Sequence, residues 1–204
     1  MKRIIIVGFI VLFVLGAGAF VWYTWPKGEP EPIIEPIIET PIETTRSYTS
    51  STLGYSMTYP IAYIQSDHTY EFSETKNIEG GFKVMVSPEM ATGTNLSADS
   101  YLAVEQLPNA RLCTGDIFLM ANVTASEVED GGITYSVASS TQGAAGNRYE
   151  EWVFAIKDSA PCTAVRYFIH STAIENYPAG TVVEFNSEAL MAEFDGMRRS
   201  LRKI

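Results

Sequence analysis

Two histidines occur in this chain, His68 and His170, and the second falls among residues that could do chemistry together. From Arg148 to Ser171 the sequence reads as two strands around Asp158-Ser159-Ala160-Pro161, a turn signal. Pairing Ile156 with Thr163, Phe154 with Val165, Trp152 with Tyr167 and Glu150 with Ile169 gathers nearly all the bulky apolar groups on one face. The opposite face then carries Tyr149 opposite His170, Glu151 opposite Phe168 and Val153 opposite Arg166, with Glu151 and Arg166 as diagonal neighbours. Ser136 and Ser140 can join them from the preceding strand. A surface of Tyr149, Glu151, Arg166 and His170 can bind a polar ligand or partner. Roofed by a cleft, it could move protons as general acid and base. Its plainest form is a solvated sheet face crossed by an ion pair. On such a face Arg166→Ala changes stability by under about 1 kcal/mol, whereas Trp152→Ala, as a core truncation, costs about 3–5 kcal/mol.

Other catalytic signatures are missing from the sequence. It has no Gly-x-Ser-x-Gly elbow, no His-Glu-x-x-His, no Gly-rich phosphate loop and no EF-hand spacing. No metal-ligand set and no cofactor is indicated. Cys113 and Cys162 lie far apart, with no His pair and no Cys-x-x-Cys, which argues against metal and dithiol chemistry. An even pair in an exported domain reads as one disulfide. Asn95-Leu96-Ser97 and Asn122-Val123-Thr124 match glycosylation sequons, which matter only in a eukaryotic secretory pathway.

The elements that must position these groups follow from punctuation and periodicity. Tyr48-Thr49-Ser50 and Tyr55 to Tyr59 read as short strands, the second stopped by Pro60. Thr69 to Phe72 and Phe82 to Val86 read as further strands, with Gly80-Gly81 as the turn before the latter. Ser97 is a plausible cap for a helix running to about Gln106, with Pro108 beyond its end. Residues 109–122 are ambiguous between a loop and a short second helix held by Cys113. From Val123 onward an antiparallel meander is expected, with turns at Asp130-Gly131-Gly132 and Gln142 to Asn147. A last helix begins near Glu188, capped by Ser187, and Leu190, Phe194, Met197 and Leu201 form its apolar stripe. Arg198, Arg199, Arg202 and Lys203 suit the negative end of its dipole, or form an acid-binding patch.

Ahead of this domain, Ile4 to Trp25 contains no charged residue. At about 1.5 Å per residue it spans roughly 33 Å, enough for a hydrocarbon core. Lys2 and Arg3 on its short flank, with residues 1–3 cytoplasmic, place the remainder outside the cytoplasm. A competing reading is a signal peptide cleaved after Ala19, at Ala17-Gly18-Ala19. Both readings export the domain. Residues 26–46 form a Glu/Pro-rich stalk in which Glu-Pro-Ile-Ile occurs twice, an extended spacer. Residues 47–204 then make one globular domain with 19 acidic and 10 basic residues, a balance that argues against nucleic acid as a partner.

Leu-Gly-Tyr-Ser-Met-Thr-Tyr-Pro at 53–60 resembles the opening of many small membrane-anchored bacterial ectodomains, and Phe194-Asp195 through Ser200-Leu201 resembles their last helix. The order of strands, helix and meander between them is similar to the PsbP-like α+β fold of extrinsic photosystem II subunits. That resemblance implies an antiparallel β-sheet meander sandwiched by helices (α/β/α) and a non-enzymatic accessory role. It brings no functional residues with it. The expectation is therefore a single-pass, membrane-tethered extracytoplasmic domain that binds an unknown envelope protein or a small ligand. The alternative is an extracytoplasmic hydrolase or transferase using His170 with Glu151.

Overall fold

A computed structural model describes residues 44–67, 79–120 and 122–204. The anchor, nearly all of the stalk, His68 and the strand expected at Thr69 to Phe72 lie outside the described residues. Among those described, no helix is long and apolar enough to cross a membrane.

The fold is α+β, built on antiparallel sheet. Seven strands form the large sheet: β3 (Ile64–Asp67), β4 (Glu79–Met85), β5 (Tyr101–Leu107), β6 (Ser126–Asp130), β7 (Ile133–Ala144), β8 (Asn147–Ile156) and β9 (Cys162–Thr172). Their order is β3-β4-β5-β9-β8-β7-β6, and every neighbouring pair is antiparallel. A small sheet joins β1 (Thr45–Ser50), β2 (Tyr55–Pro60) and the two-residue β10 (Arg202–Lys203) around the central β2. Thr45 and Arg46, expected in the stalk, already pair with Pro60 and Tyr59. Among the described residues the α-helices are a single turn, α1 (Pro88–Ala91), and α2 (Ser187–Arg199).

The meander follows the expected register. Trp152 pairs with Tyr167, Phe154 with Val165 and Glu150 with Ile169. Its turns are tight because the sequence supplies residues that tolerate left-handed backbone. Gly131 and Gly132 both have positive φ, at 61° and 78°, the geometry of a two-residue hairpin turn. One face of the large sheet packs against β2 and α2 through Tyr55, Met57, Tyr59, Phe82, Val104, Tyr167, Phe194 and their neighbours. The stripe Leu190, Phe194, Met197 and Leu201 is buried there as expected. Trp152 only packs at the edge of this core, partly buried, so its truncation removes less than a full core side chain would.

Three expectations change. The helix expected from Ser97 to Gln106 is strand β5. Every residue from Leu102 to Leu107 is buried, so both faces of this central strand are covered and its sequence lacks the alternation that marks a half-exposed strand. Gly80-Gly81 is no turn but a bulge inside β4. A Cβ on Gly81 would stand 2.6 Å from Leu53 and from the Tyr55 hydroxyl. Among the described residues the expected α/β/α sandwich lacks a second helical layer. Part of the far face of the sheet, at the disulfide end, is covered by residues 108–120 and 122–125, whose one regular piece is a 3-10 turn, Gly115–Phe118. Leu107, Cys113, Phe118, Leu119, Ala138, Val153, Ala155, Cys162 and Ala164 form a second, smaller core beneath this cover. A disulfide between Cys113 and Cys162 pins it to β9.

Gly115 is what lets the cover lie so close. A Cβ there would fall 2.7 Å from the Ala138 nitrogen and 2.8 Å from the carbonyl oxygens of Ser136 and Val153. All three are backbone atoms of sheet strands and cannot swing aside. Gly115→Ala should cost about 1–3 kcal/mol, at the upper end of overpacking effects, read as a fall in the urea midpoint. An unchanged midpoint would mean that the cover can lift without penalty.

Of the four C-terminal bases, Arg199, Arg202 and Lys203 are exposed and Arg198 is buried. The cap of α2 is Asn186, whose side chain accepts from the Ala189 nitrogen, one residue ahead of the expected Ser187. Arg198 is 2% exposed and lies between the rings of Tyr135 and Phe154. It donates to the Tyr167 hydroxyl (2.8 Å), Asp130 (2.5 Å) and Asp195 (3.0 Å). Arg198 in turn holds the Asp130 carboxyl below the usual carboxylate range. This cluster fastens the helix to the β6–β7 hairpin.

Candidate functional site

The face of the large sheet opposite α2 is divided. Its half nearest β6 and the disulfide lies under the cover; the other half is open. The four residues singled out by the sequence fall on both sides of that boundary.

Arg166 lies in the closed half, fully buried. Its guanidinium donates through Nε and Nη2 to the two carboxylate oxygens of Glu105, at 2.8 and 3.0 Å. Nη2 also donates to the Phe118 carbonyl at 2.8 Å, and Nη1 to Glu151. The diagonal pair of Glu151 and Arg166 is therefore formed, but not on a solvated wall. The 3-10 turn of the cover closes over it and contributes an acceptor. Ser136, expected beside the ion pair, instead accepts a hydrogen bond from the Gly115 nitrogen and helps to hold that cover. Glu105 escaped sequence reasoning because its strand was read as a helix. A buried arginine on β9, the strand that pairs with β5, is the signal that could have found it, since a buried guanidinium demands an anion.

Tyr149 and His170 lie in the open half, both half-buried and stacked with ring centres 4.5 Å apart. The stack continues. Tyr149 lies 6.1 Å from Phe168, and Phe168 stacks on Tyr101 at 5.0 Å, with the Lys83 ammonium 5.4 Å from the Tyr101 ring centre. Cross-strand register builds this row: Tyr101 faces Phe168 across β5 and β9, and Tyr149 faces His170 across β8 and β9. Tyr101 was missed for the same reason as Glu105.

His170 is held on both nitrogens. Nδ1 lies 2.8 and 3.0 Å from the Asp99 carboxylate oxygens, and Nε2 lies 3.1 Å from the Asn147 side-chain oxygen. Asn147 also accepts from the Thr172 hydroxyl. The backbone here is fixed too, since the His170 nitrogen donates to Ser100 Oγ and its carbonyl accepts from Ser97. The expected partnership of His170 with Glu151 is thus replaced by two others: His170 with Asp99, and Glu151 with Arg166. Among the described residues no cluster of His, Cys, Asp and Glu is arranged to hold a metal ion. Asn95, the first residue of one sequon, is buried and bonds to the Thr172 carbonyl and the Phe185 nitrogen, a structural role.

No family model matches this sequence, and no curated protein is similar to it. Among solved structures, a protein from Bacteroides thetaiotaomicron is similar at 15% identity and a TM-score of 0.47, over 79% of this chain and 49% of that one. The match thus spans about half the length of the Bacteroides protein. The solution structure of cyanobacterial PsbP (CyanoP) from Synechocystis is similar at 12% identity and a TM-score of 0.33, over 88% of this chain and all of that one. The resemblance to PsbP-like folds is weak and structural.

Proposed function

We propose that this chain is a membrane-tethered, extracytoplasmic binding domain with no catalytic chemistry of its own, serving an envelope protein or a small ligand. Its binding surface is the open half-face around Tyr101, Tyr149, Phe168 and His170. One observation carries this reading. On a single sheet face, one half is sealed by a pinned cover while a row of four rings beside it stays only partly covered. A domain selected only for stability gains by covering such rings, and a contiguous, partly exposed aromatic strip is the kind of surface that partners use. The uncharged Ile4 to Trp25 run with Lys2 and Arg3 supports the tether and its orientation.

The hydrolase or transferase alternative is less well supported. Glu151 is bound by Arg166, and both His170 nitrogens face other oxygens, so a proton relay between the two would first have to break these bonds. The test uses the full chain as bait in extracts of its native envelope, beside Tyr101→Ala and His170→Ala. Both variants should unfold within a few degrees of the wild type yet lose a partner or ligand that the wild type retains. Identical capture by all three would overturn the proposal.

A further inference from the structure

The ring contacts of Tyr149, to Phe168 and His170, both reach across to β9. Its other side looks towards β7, where Gln142 lies directly opposite and Ser140 pairs with Glu151. Neither β7 residue is aromatic, so among the described residues this side of the ring has no aromatic neighbour. Four side chains, Ser140, Gln142, Tyr149 and Glu151, therefore make a two-by-two patch on one sheet face. Their polar atoms are largely unspent. The Tyr149 hydroxyl, the Gln142 amide and the Ser140 hydroxyl make no hydrogen bond among the described residues, and Glu151 uses one oxygen on Arg166 and keeps the other. An aromatic face ringed by unspent hydroxyl, amide and carboxylate groups matches a molecule with an apolar face and a belt of hydroxyls.

The charge narrows the choice. Arg166 is taken up by two carboxylates, Glu105 and Glu151, and the second of these edges the patch, so the groups a ligand meets there are acidic. That field opposes phosphate, sulfate and uronic acid groups. We propose that this patch seats one ring of a neutral or amino-substituted saccharide. The apolar face of the sugar stacks on the β7 side of Tyr149, and its hydroxyls bond to Glu151, Gln142 and Ser140. This rests on the reading of the face as a binding surface and names its ligand class.

The test uses the full chain in a detergent without a sugar headgroup, with chitotriose, cellotriose and tri-galacturonate as probes. Saturation-transfer NMR should show transfer to the ring protons of chitotriose or cellotriose and none to tri-galacturonate. Tyr149→Ala should weaken that binding at least tenfold, Tyr149→Phe only a few-fold, and both should unfold at nearly the wild-type temperature. Binding of tri-galacturonate equal to the others would overturn the assignment of ligand class. No transfer to any probe, while the ring-row variants still lose an envelope partner, would overturn the saccharide site and leave the binding surface standing. No transfer, with capture also unchanged in those variants, would overturn both.

Discussion

Arg166→Ala should leave the domain unfolded or close to it, with a loss of about 3–5 kcal/mol. The reason lies in what stays behind. Glu105 is fully buried, and its two oxygens are held by the guanidinium of Arg166. Removing the cation takes the guanidinium away from a fully buried carboxylate and breaks its bond to the Phe118 carbonyl as well. This reverses the expectation for a surface ion pair on the same residues. The control is a double change to apolar side chains, Glu105→Leu with Arg166→Met, which removes both charges at similar volume. It should be far less damaging than Arg166→Ala alone, because a buried pair contributes little net stability once its desolvation is counted. Urea unfolding followed by Trp152, the one tryptophan beyond the N-terminal segment, reads both variants. An Arg166→Ala midpoint within the equivalent of about 1 kcal/mol of wild type would mean that water enters under the cover.

Loss of the disulfide should be comparably severe. Cys113 and Cys162 are both buried, 49 positions apart in sequence, and joined. Opening a loop of that length releases denatured-chain entropy equivalent to about 4 kcal/mol on the chain-entropy estimate. Cys113→Ser with Cys162→Ser should therefore lower the urea midpoint strongly, and reduction of the wild type should do the same. Because the bridge pins the cover that seals Arg166, the losses from Cys113→Ser and Arg166→Ala should not add. Non-reducing mass analysis should find two hydrogens fewer than the free-thiol mass. Two thiols open to alkylation in the folded chain would overturn the assignment.

The contrast between these residues shows what the sequence could and could not express. Alternation along 148–171 has a period of two and a turn to anchor it, so the register of β8 and β9 was readable, and with it the diagonal pair of Glu151 and Arg166. The disulfide followed from counting. The facing of Arg166 was also readable, but its burial was not. Burial depends on a cover about 50 residues earlier in the chain, with no periodicity of its own and only a short 3-10 turn. The misreading of β5 had a similar origin. Tyr101-Leu102-Ala103-Val104-Glu105-Gln106-Leu107 contains good helix formers, and a strand buried on both faces shows no alternation to contradict them. Tertiary context overrode propensity there. With β5 went Tyr101 and Glu105, one end of the aromatic row and the anion of the buried network.

Strand β10 has a bearing on how the chain reaches this state. Arg202 and Lys203 pair with Ser56 and Tyr55, and the Thr58 nitrogen donates to Ser200 Oγ, a contact across 142 positions. Strand β2 enters the domain near its beginning yet obtains its second neighbour only from the last residues. A folding chain therefore holds Met57 and Tyr59 without their final packing partners until residues 190–203 join the domain. Acquisition of the native state is consequently a late, whole-domain event, slow for its size because so many pairings are distant. During that interval the edge of β2 that β10 will occupy is open to pairing with another chain.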